Sequence, residues 1–278
     1  GQMSTTKSVS LSRCGSPTLG VMSVGMTRQG SVAEVVLDRP EKYNAVDEQM
    51  AAELLAGLRV VAAGDARALG LTARGRGFCA GRDLSEATPL DEDAEAILAE
   101  TFNPLFLAIA EIGVPTIAAV QGPALGVGLG LALACDVVFV GESAKVGSPF
   151  AGIGCVLDSG GHRHFVQRLG PHRTLELIYS GDLMSGPAAA EAGLVNRCVP
   201  DDELLETARA FAAQVAAGPT AAFALSKRLV QRMDREHLGL GDVLAAEAAA
   251  QGDASRTADY AEGIGAFQDK RRPTFTGR

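Results

Sequence analysis

The sequence predicts an α/β protein, with a parallel sheet under helical cover to about residue 200 and an all-helical extension beyond it. Three observations carry this. Short apolar runs closed by Gly or Pro alternate with stretches of helical periodicity. Two of those runs feed directly into glycine-rich loops. After Val199 the strand pattern stops and Ala-rich helix candidates follow one another.

Composition narrows the function classes. A chain of 278 residues can bury a sizeable core, and 47% hydrophobic residues with only 5% aromatics make that core one of Ala, Val and Leu. A net charge of −8 argues against a nucleic-acid partner, which calls for a basic face. The five cysteines stand singly at 14, 79, 135, 155 and 198, a pattern of reduced thiols that predicts a cytoplasmic protein rather than a disulfide framework or zinc site. No run reaches the ~18 apolar residues of a membrane span, so no membrane partner is expected.

Taken in order, residues 1–20, rich in Ser, Thr and Gly, predict a disordered tail without a signal-peptide pattern. The core domain is expected over 21–200. Val32 to Leu37 reads as a strand closed by Asp38-Arg39-Pro40, and Asp47 as the N-cap of a helix that Gly64 stops. A buried strand from Ala68 to Thr72 leads into the glycine-rich segment from Arg74 to Gly81. Helix is expected from Glu92 to Ile112, interrupted at Pro104. A strand from Thr116 to Val120 enters the second glycine loop and its helix, and Val137 to Val140 is the next strand. A glycine-punctuated loop follows from Lys145 to Ser159. Short helices are predicted from His162 to Leu169 and from Thr174 to Ser180. Helices from Asp201 to Ala217, Thr220 to Arg232, Gly241 to Gly252 and Thr257 to Lys270 form the extension, with Gly218-Pro219 as a stop and a breaker.

The second glycine loop, Gly122 to Gly130, is strand, sharp turn and helix start in sequence. Glycine lets the backbone turn tightly and approach a ligand, and the first N–H groups of the helix have no intrahelical partner. Such a site holds an anion, whether a phosphate or a developing oxyanion.

Taken together, the two loops resemble the enoyl-CoA hydratase/isomerase (crotonase) superfamily. Phe78-Cys79-Ala80-Gly81-Arg82-Asp83-Leu84 matches its FCAG-x-DL motif. Ala124 to Asp136 matches ALG-x-G-x-x-LALACD, and spaced matches run from Glu34 to Arg272. The resemblance implies a ββα spiral core and a substrate that is an acyl-CoA thioester, with coenzyme A as part of the substrate and no permanently bound cofactor. It also implies that residues 201–278 form a helical trimerisation domain of a homotrimer or dimer of trimers. The backbone N–H groups of Ala80 and Val127 are the implied oxyanion hole. Lys42, Asn44, Ala45, Gly81, Asp83 and Leu84 are implied to meet the coenzyme. So are Phe267 and Lys270, offered from a neighbouring subunit.

The acid/base groups decide the reaction. Hydratases of the family use two glutamates, which align here with Gly130 and Phe150. Adding water needs one group to activate it and one to protonate the α-carbon, so ordinary hydration is not expected. Asp158, in Gly154-Cys155-Val156-Leu157-Asp158-Ser159-Gly160-Gly161, resembles the GL-x-PD-x-GG segment of family isomerases, in which the aspartate shuttles a proton along the acyl chain. The same residue is also a candidate N-cap for the helix that follows. An isomerase is therefore expected. The alternatives are a hydratase with an unusual base, for which Glu86 and Glu142 are candidates, and a non-catalytic acyl-CoA-binding member. His162 and His164 lack a third ligand at metal-binding spacing, and Asp136 reads as structural. Cys79 reads as a small buried residue rather than a nucleophile.

Overall fold

The computed structural model describes residues 22–278, so the tail expected over 1–20 lies outside the described residues. The first element is a strand that polar composition concealed. β1 (Val24–Gln29) pairs antiparallel with β2 (Val32–Leu37) through a turn at Gly30, whose φ of +58° suits glycine. α1 (Glu48–Ala63) begins at Asp47, whose carboxylate accepts the Met50 N–H at 2.8 Å, and ends at Gly64, as predicted. After β3 (Ala68–Ala73), the helix expected near 92–112 is α2 (Ala94–Ile97), a π-helical turn at Leu98–Phe102, and α3 (Asn103–Glu111). Pro104 sits in the first turn of α3, where its missing N–H costs least.

β4 (Thr116–Val120), β5 (Pro123–Leu125) and α4 (Val127–Ala134) form one ββα unit. β6 (Val137–Gly141), β7 (Lys145–Gly147) and α5 (Gly161–Ser180) form the next. The two short helices expected after residue 161 are the halves of α5, which kinks at Gly170 (φ +77°) before Pro171. β8 (Met184–Ser185), α6 (Gly186–Glu191) and β9 (Arg197–Val199) close the core. A six-stranded sheet runs β1-β2-β3-β4-β6-β9, parallel throughout except for the β1–β2 hairpin; a smaller sheet runs β5-β7-β8.

The extension comprises α7 (Leu204–Ala216), α8 (Thr220–Glu236), α9 (Leu240–Ala254) and α10 (Ala258–Gln268). Packing divides it differently from the boundary expected at residue 201. β4 is buried on both faces: Ala118 and Val120 join the main core with α1, α3 and α4, while Ile117 and Ala119 face the other way. The opposite face is covered by α7, whose Leu204, Ala208, Ala212 and Ala216 recur every fourth residue and meet Ile117, Ala119 and Phe139. α7 is thus a layer of the core, whereas α8, after the Gly218-Pro219 break, buries no residue fully and is tied to the core by polar contacts such as Lys227 to the Val114 carbonyl and Gln231 to the Ala110 carbonyl. Asp136 is structural as expected, accepting the Thr116 N–H and the Lys227 ammonium, both at 2.8 Å. At the C-terminus, buried Asp259 accepts the N–H groups of Thr276 (2.6 Å) and Gly277 (2.7 Å), which folds the last residues back on α10.

One ion pair bolts α7 to the sheet. Glu34 on β2 is 5% exposed and accepts two hydrogen bonds from Arg209, at 3.0 and 2.7 Å, and one from Thr72 at 2.8 Å. Removing Arg209 strands a buried carboxylate, so Arg209→Leu is expected to destabilise the fold by about 2–3 kcal/mol, with Arg209 itself partly in water. Urea unfolding followed by circular dichroism measures this; an unchanged midpoint would show that the pair contributes nothing.

Candidate active site

Loop one, Arg74 to Leu84, is tied on two sides. Cys79 exchanges backbone hydrogen bonds with β5: its N–H donates to Pro123 O at 3.0 Å and its carbonyl accepts from Leu125 at 3.0 Å. On the other side Ala80 N–H donates to Tyr43 O at 2.9 Å, Val46 N–H to Gly81 O at 2.8 Å and Asp83 N–H to Val46 O at 2.9 Å. A parallel bridge of this kind uses the atoms flanking Arg82 and turns Arg82's own N–H away from Val46.

This geometry corrects one expected site residue. Ala80's N–H is spent on Tyr43 and does not face outward. The reason is Gly81, whose φ of +102° breaks the alternation of the extended loop, so that the outward N–H falls to Arg82. Val127 N–H opens α4 after Gly126 (φ +50°, ψ −115°). Among the described residues neither the Arg82 nor the Val127 N–H donates to any protein acceptor. Loop one approaches the start of α4 at the residue before Arg82: a Cβ built on Gly81 would fall 3.0 Å from Leu125 O and 4.0 Å from Val127 N. Two unpartnered backbone N–H groups on adjoining loops are donors of the kind that stabilise an oxyanion.

Small residues bring the loops together. A side chain on Gly128 would be driven into the Cys79 carbonyl, and one on Gly126 would meet the Phe150 ring at 2.9 Å. Phe150 therefore lies over the turn into α4. One helical turn along, a Cβ on Gly130 would lie 2.6 Å from Ser159 Cβ and 2.9 Å from Phe106. Neither of these two positions carries a carboxylate, and their space is filled by Ser159 and an aromatic ring.

Ser159 leads to Asp158, whose Oδ1 accepts the Ser159 hydroxyl at 2.6 Å. Asp158 is half-buried, and its carboxyl is raised above the ordinary aspartate range, chiefly by burial, while the Ser159 hydroxyl and the Arg82 guanidinium oppose the rise. The Arg82 guanidinium itself is paired with Glu92 at 2.8 Å. Asp158 is not the side-chain cap of α5: Gly160 occupies the N-cap position without a side-chain bond. The chain of contacts runs from Gly81 to Val127, along α4 to Gly130, and across to Ser159 and Asp158.

The expected coenzyme residues divide. Asn44 is fully buried, accepting from Arg39 N–H at 2.7 Å and donating to the Arg74 and Gly77 carbonyls at 2.9 and 2.8 Å. Its side chain holds loop one and is not available to a ligand, which corrects that expectation for the side chain. Asp83 is likewise committed: hydrogen bonds from Ser85, then the Arg39 guanidinium at 2.8 Å, hold its carboxyl down at about 2. Arg39 also donates to the Ala45 carbonyl. Lys42 and Leu84 are exposed at the edge of the loop. Phe267 is 83% exposed on α10 and Lys270 exposed just beyond it; Arg271 is paired with Glu262. This chain's own fold does not bring Phe267 and Lys270 to loop one by any hydrogen bond or ion pair among the described residues.

Other ionisable groups resolve. Burial pushes the Cys79 thiol up to about 12, so it is no nucleophile. Glu86 is exposed on the loop after Leu84, and Glu142 is exposed at the end of β6. His164 contacts Arg168 at 2.9 Å and is held down to about 4 by burial and the neighbouring guanidinium charges. Among the described residues no group of three or more His, Cys, Asp or Glu is arranged to hold a metal, and no helix is long and apolar enough to cross a membrane.

Two glycine loops on successive strand–strand–helix units, with a free N–H group on each, place the protein in the class of α/β folds built on repeated ββα units. The enoyl-CoA hydratase/isomerase family model matches residues 27–278, and the chain belongs to that family. Among its relatives, a Rhodobacter capsulatus protein described as a probable enoyl-CoA hydratase is 40% identical over 89% of this chain and 95% of its own. The 1,2-epoxyphenylacetyl-CoA isomerase of Escherichia coli is 36% identical over 89% of this chain and 95% of its own. A crystallised Mycobacterium abscessus protein described as an enoyl-CoA hydratase/isomerase superposes with a TM-score of 0.87 at 37% identity, covering 92% of this chain and all of that one.

Proposed function

We propose that the protein shifts a carbon–carbon double bond in an enoyl-CoA thioester, with Asp158 as the single proton carrier. The observation that carries this reading is the pairing of a half-buried Asp158 with two positions, Gly130 and Phe150, from which carboxylates are missing and whose space is filled. The thioester carbonyl sits against the Arg82 and Val127 N–H groups. Asp158 removes a proton from C2 of a 3-enoyl chain; the electron pair spreads over the carbonyl oxygen and C4, and the N–H groups stabilise the dienolate. Protonated Asp158 then returns the proton at C4, giving the 2-enoyl thioester and restoring the carboxylate. No water is consumed, which suits a site with one carboxylate and an aromatic ring over the turn into α4. Among the relatives, names of both isomerase and hydratase type occur, so the residues and not the names carry the preference.

The catalytic set is then the backbone of Arg82 and Val127 with the side chain of Asp158, and no resident cofactor is required. Lys42, Ala45, Gly81 and Leu84 are proposed to border the coenzyme, with Phe267 and Lys270 reaching it from a neighbouring copy in a trimer or dimer of trimers. What supports the assembly is that α8 buries no residue and α9 only Ala254, while Val230, Leu240 and Leu244 are exposed. The four described cysteines are free, in keeping with a cytoplasmic setting. Exchange of the α-proton of an acyl-CoA in deuterated water tests the reading. Exchange that depends on Asp158 supports it, and tight thioester binding without exchange would instead indicate a binding protein.

A further inference from the structure

Ser159 is held in a conformation that its side chain does not favour. Its φ is +56° and that of Gly160 is +75°, while the Asp158 carbonyl accepts the Gly161 N–H at 2.8 Å. Two left-handed central residues inside such a hydrogen bond make a turn of the I′ kind, whose positions favour Gly, Asn and Asp. A serine there is strained, and strain of this sort persists where the surroundings over-determine it. Ser159 is 5% exposed, its hydroxyl is 2.6 Å from Asp158 Oδ1, and its Cβ and carbonyl oxygen lie 2.6 and 2.7 Å from where a Gly130 Cβ would stand.

We infer that Ser159 is a positioning residue for Asp158, its hydroxyl fixing Oδ1 so that Oδ2 is the oxygen left to carry the proton, and that Gly130 is the vacancy on α4 that admits it. The inference rests on the reading of Asp158 as the proton carrier. A glycine would satisfy the turn at lower strain but would leave the carboxylate free to rotate. An alanine would keep the strain and lose the bond. Any side chain at 130 competes with Ser159 for the same volume. A carboxylate at 130 and the Asp158–Ser159 turn therefore exclude each other, and the site is built for one proton carrier rather than two.

Ser159→Gly and Ser159→Ala separate positioning from folding. Ser159→Gly relieves the left-handed backbone, so its Tm is expected at or above that of the parent, yet its kcat on 3-enoyl-CoA falls about tenfold with KM little changed. A hydrogen bond to the charged carboxylate favours the ionised form, so in both variants the acid limb of the kcat profile moves to higher pH. The Asp158 carboxyl, followed by ¹³C NMR in aspartate-labelled protein and assigned by its loss in Asp158→Asn, titrates at higher pH as well. A stable Ser159→Gly protein with parental kcat and an unmoved Asp158 titration overturns the inference. If Asp158→Asn itself retains full turnover, the isomerase base has been misassigned, and the NMR titration still decides whether Ser159 holds that carboxylate.

Discussion

Asp158→Asn is expected to lower the conversion of 3-enoyl- to 2-enoyl-CoA by about 10²–10⁴, the range that loss of a positioned acid/base group produces, with KM changed little. The amide keeps the shape and can still accept the Ser159 hydroxyl, so the fold and the thioester pocket persist while the proton carrier is gone. Burial raises the Asp158 carboxyl above its ordinary range. The active form is the carboxylate, so in the parent protein kcat rises with pH through that elevated value and levels off above it. In Asp158→Asn the limb should vanish along with the rate. Steady-state kinetics from acid to neutral pH, with circular dichroism to verify folding, checks both parts.

The second large effect is expected at Val127. Its N–H has no protein acceptor among the described residues and it is the first residue of α4, the position where proline is best tolerated in a helix. Val127→Pro therefore deletes one N–H with little damage to the helix, and the loss of one oxyanion donor is expected to lower kcat by about 10²–10³. Val127→Ala keeps the N–H and should retain kcat within a few-fold, though the lost buried methyls lower stability by about 1–2 kcal/mol. Equal kcat values for the proline and alanine variants would remove Val127 from the oxyanion hole. The outcome also bears on Arg82, because the two N–H groups are proposed to act on one oxygen.

Much of this was legible in residue order. The Asp47 cap, the Gly64 stop, the buried β4 and the second glycine loop follow from local chemistry that tertiary structure does not override. The hidden strands β1, β5, β7 and β8 were not legible as strands: β1 ends in Thr27-Arg28-Gln29, and the others are two or three residues long, too short to show a period of two. The glycine pattern marks an anion site at the start of α4, because the first N–H groups of a helix lack intrahelical partners, and the family resemblance names Val127 within it. The partner donor could not be read this way, because it depends on which way Gly81 turns the backbone: the motif points to Ala80, and only the hydrogen bonds to Tyr43 and Val46 move the free N–H to Arg82. The resemblance implies Asn44 and Asp83 as coenzyme contacts, while Asp83 also reads as a residue that orders its loop; the hydrogen bonds of both side chains hold the loop. Ser159 gave no sequence signal at all, since its meaning lies in a positive φ and in the space vacated by Gly130.

The central claim is that one carboxylate moves a proton within the acyl chain and no group activates water. Product analysis of the purified protein with 3-enoyl- and 2-enoyl-CoA substrates, by NMR in deuterated water, tests it most directly. The account predicts interconversion of the two enoyl isomers, with deuterium entering at C2 and C4 and no 3-hydroxyacyl-CoA formed. A 3-hydroxyacyl-CoA as the main product from the 2-enoyl substrate would contradict it.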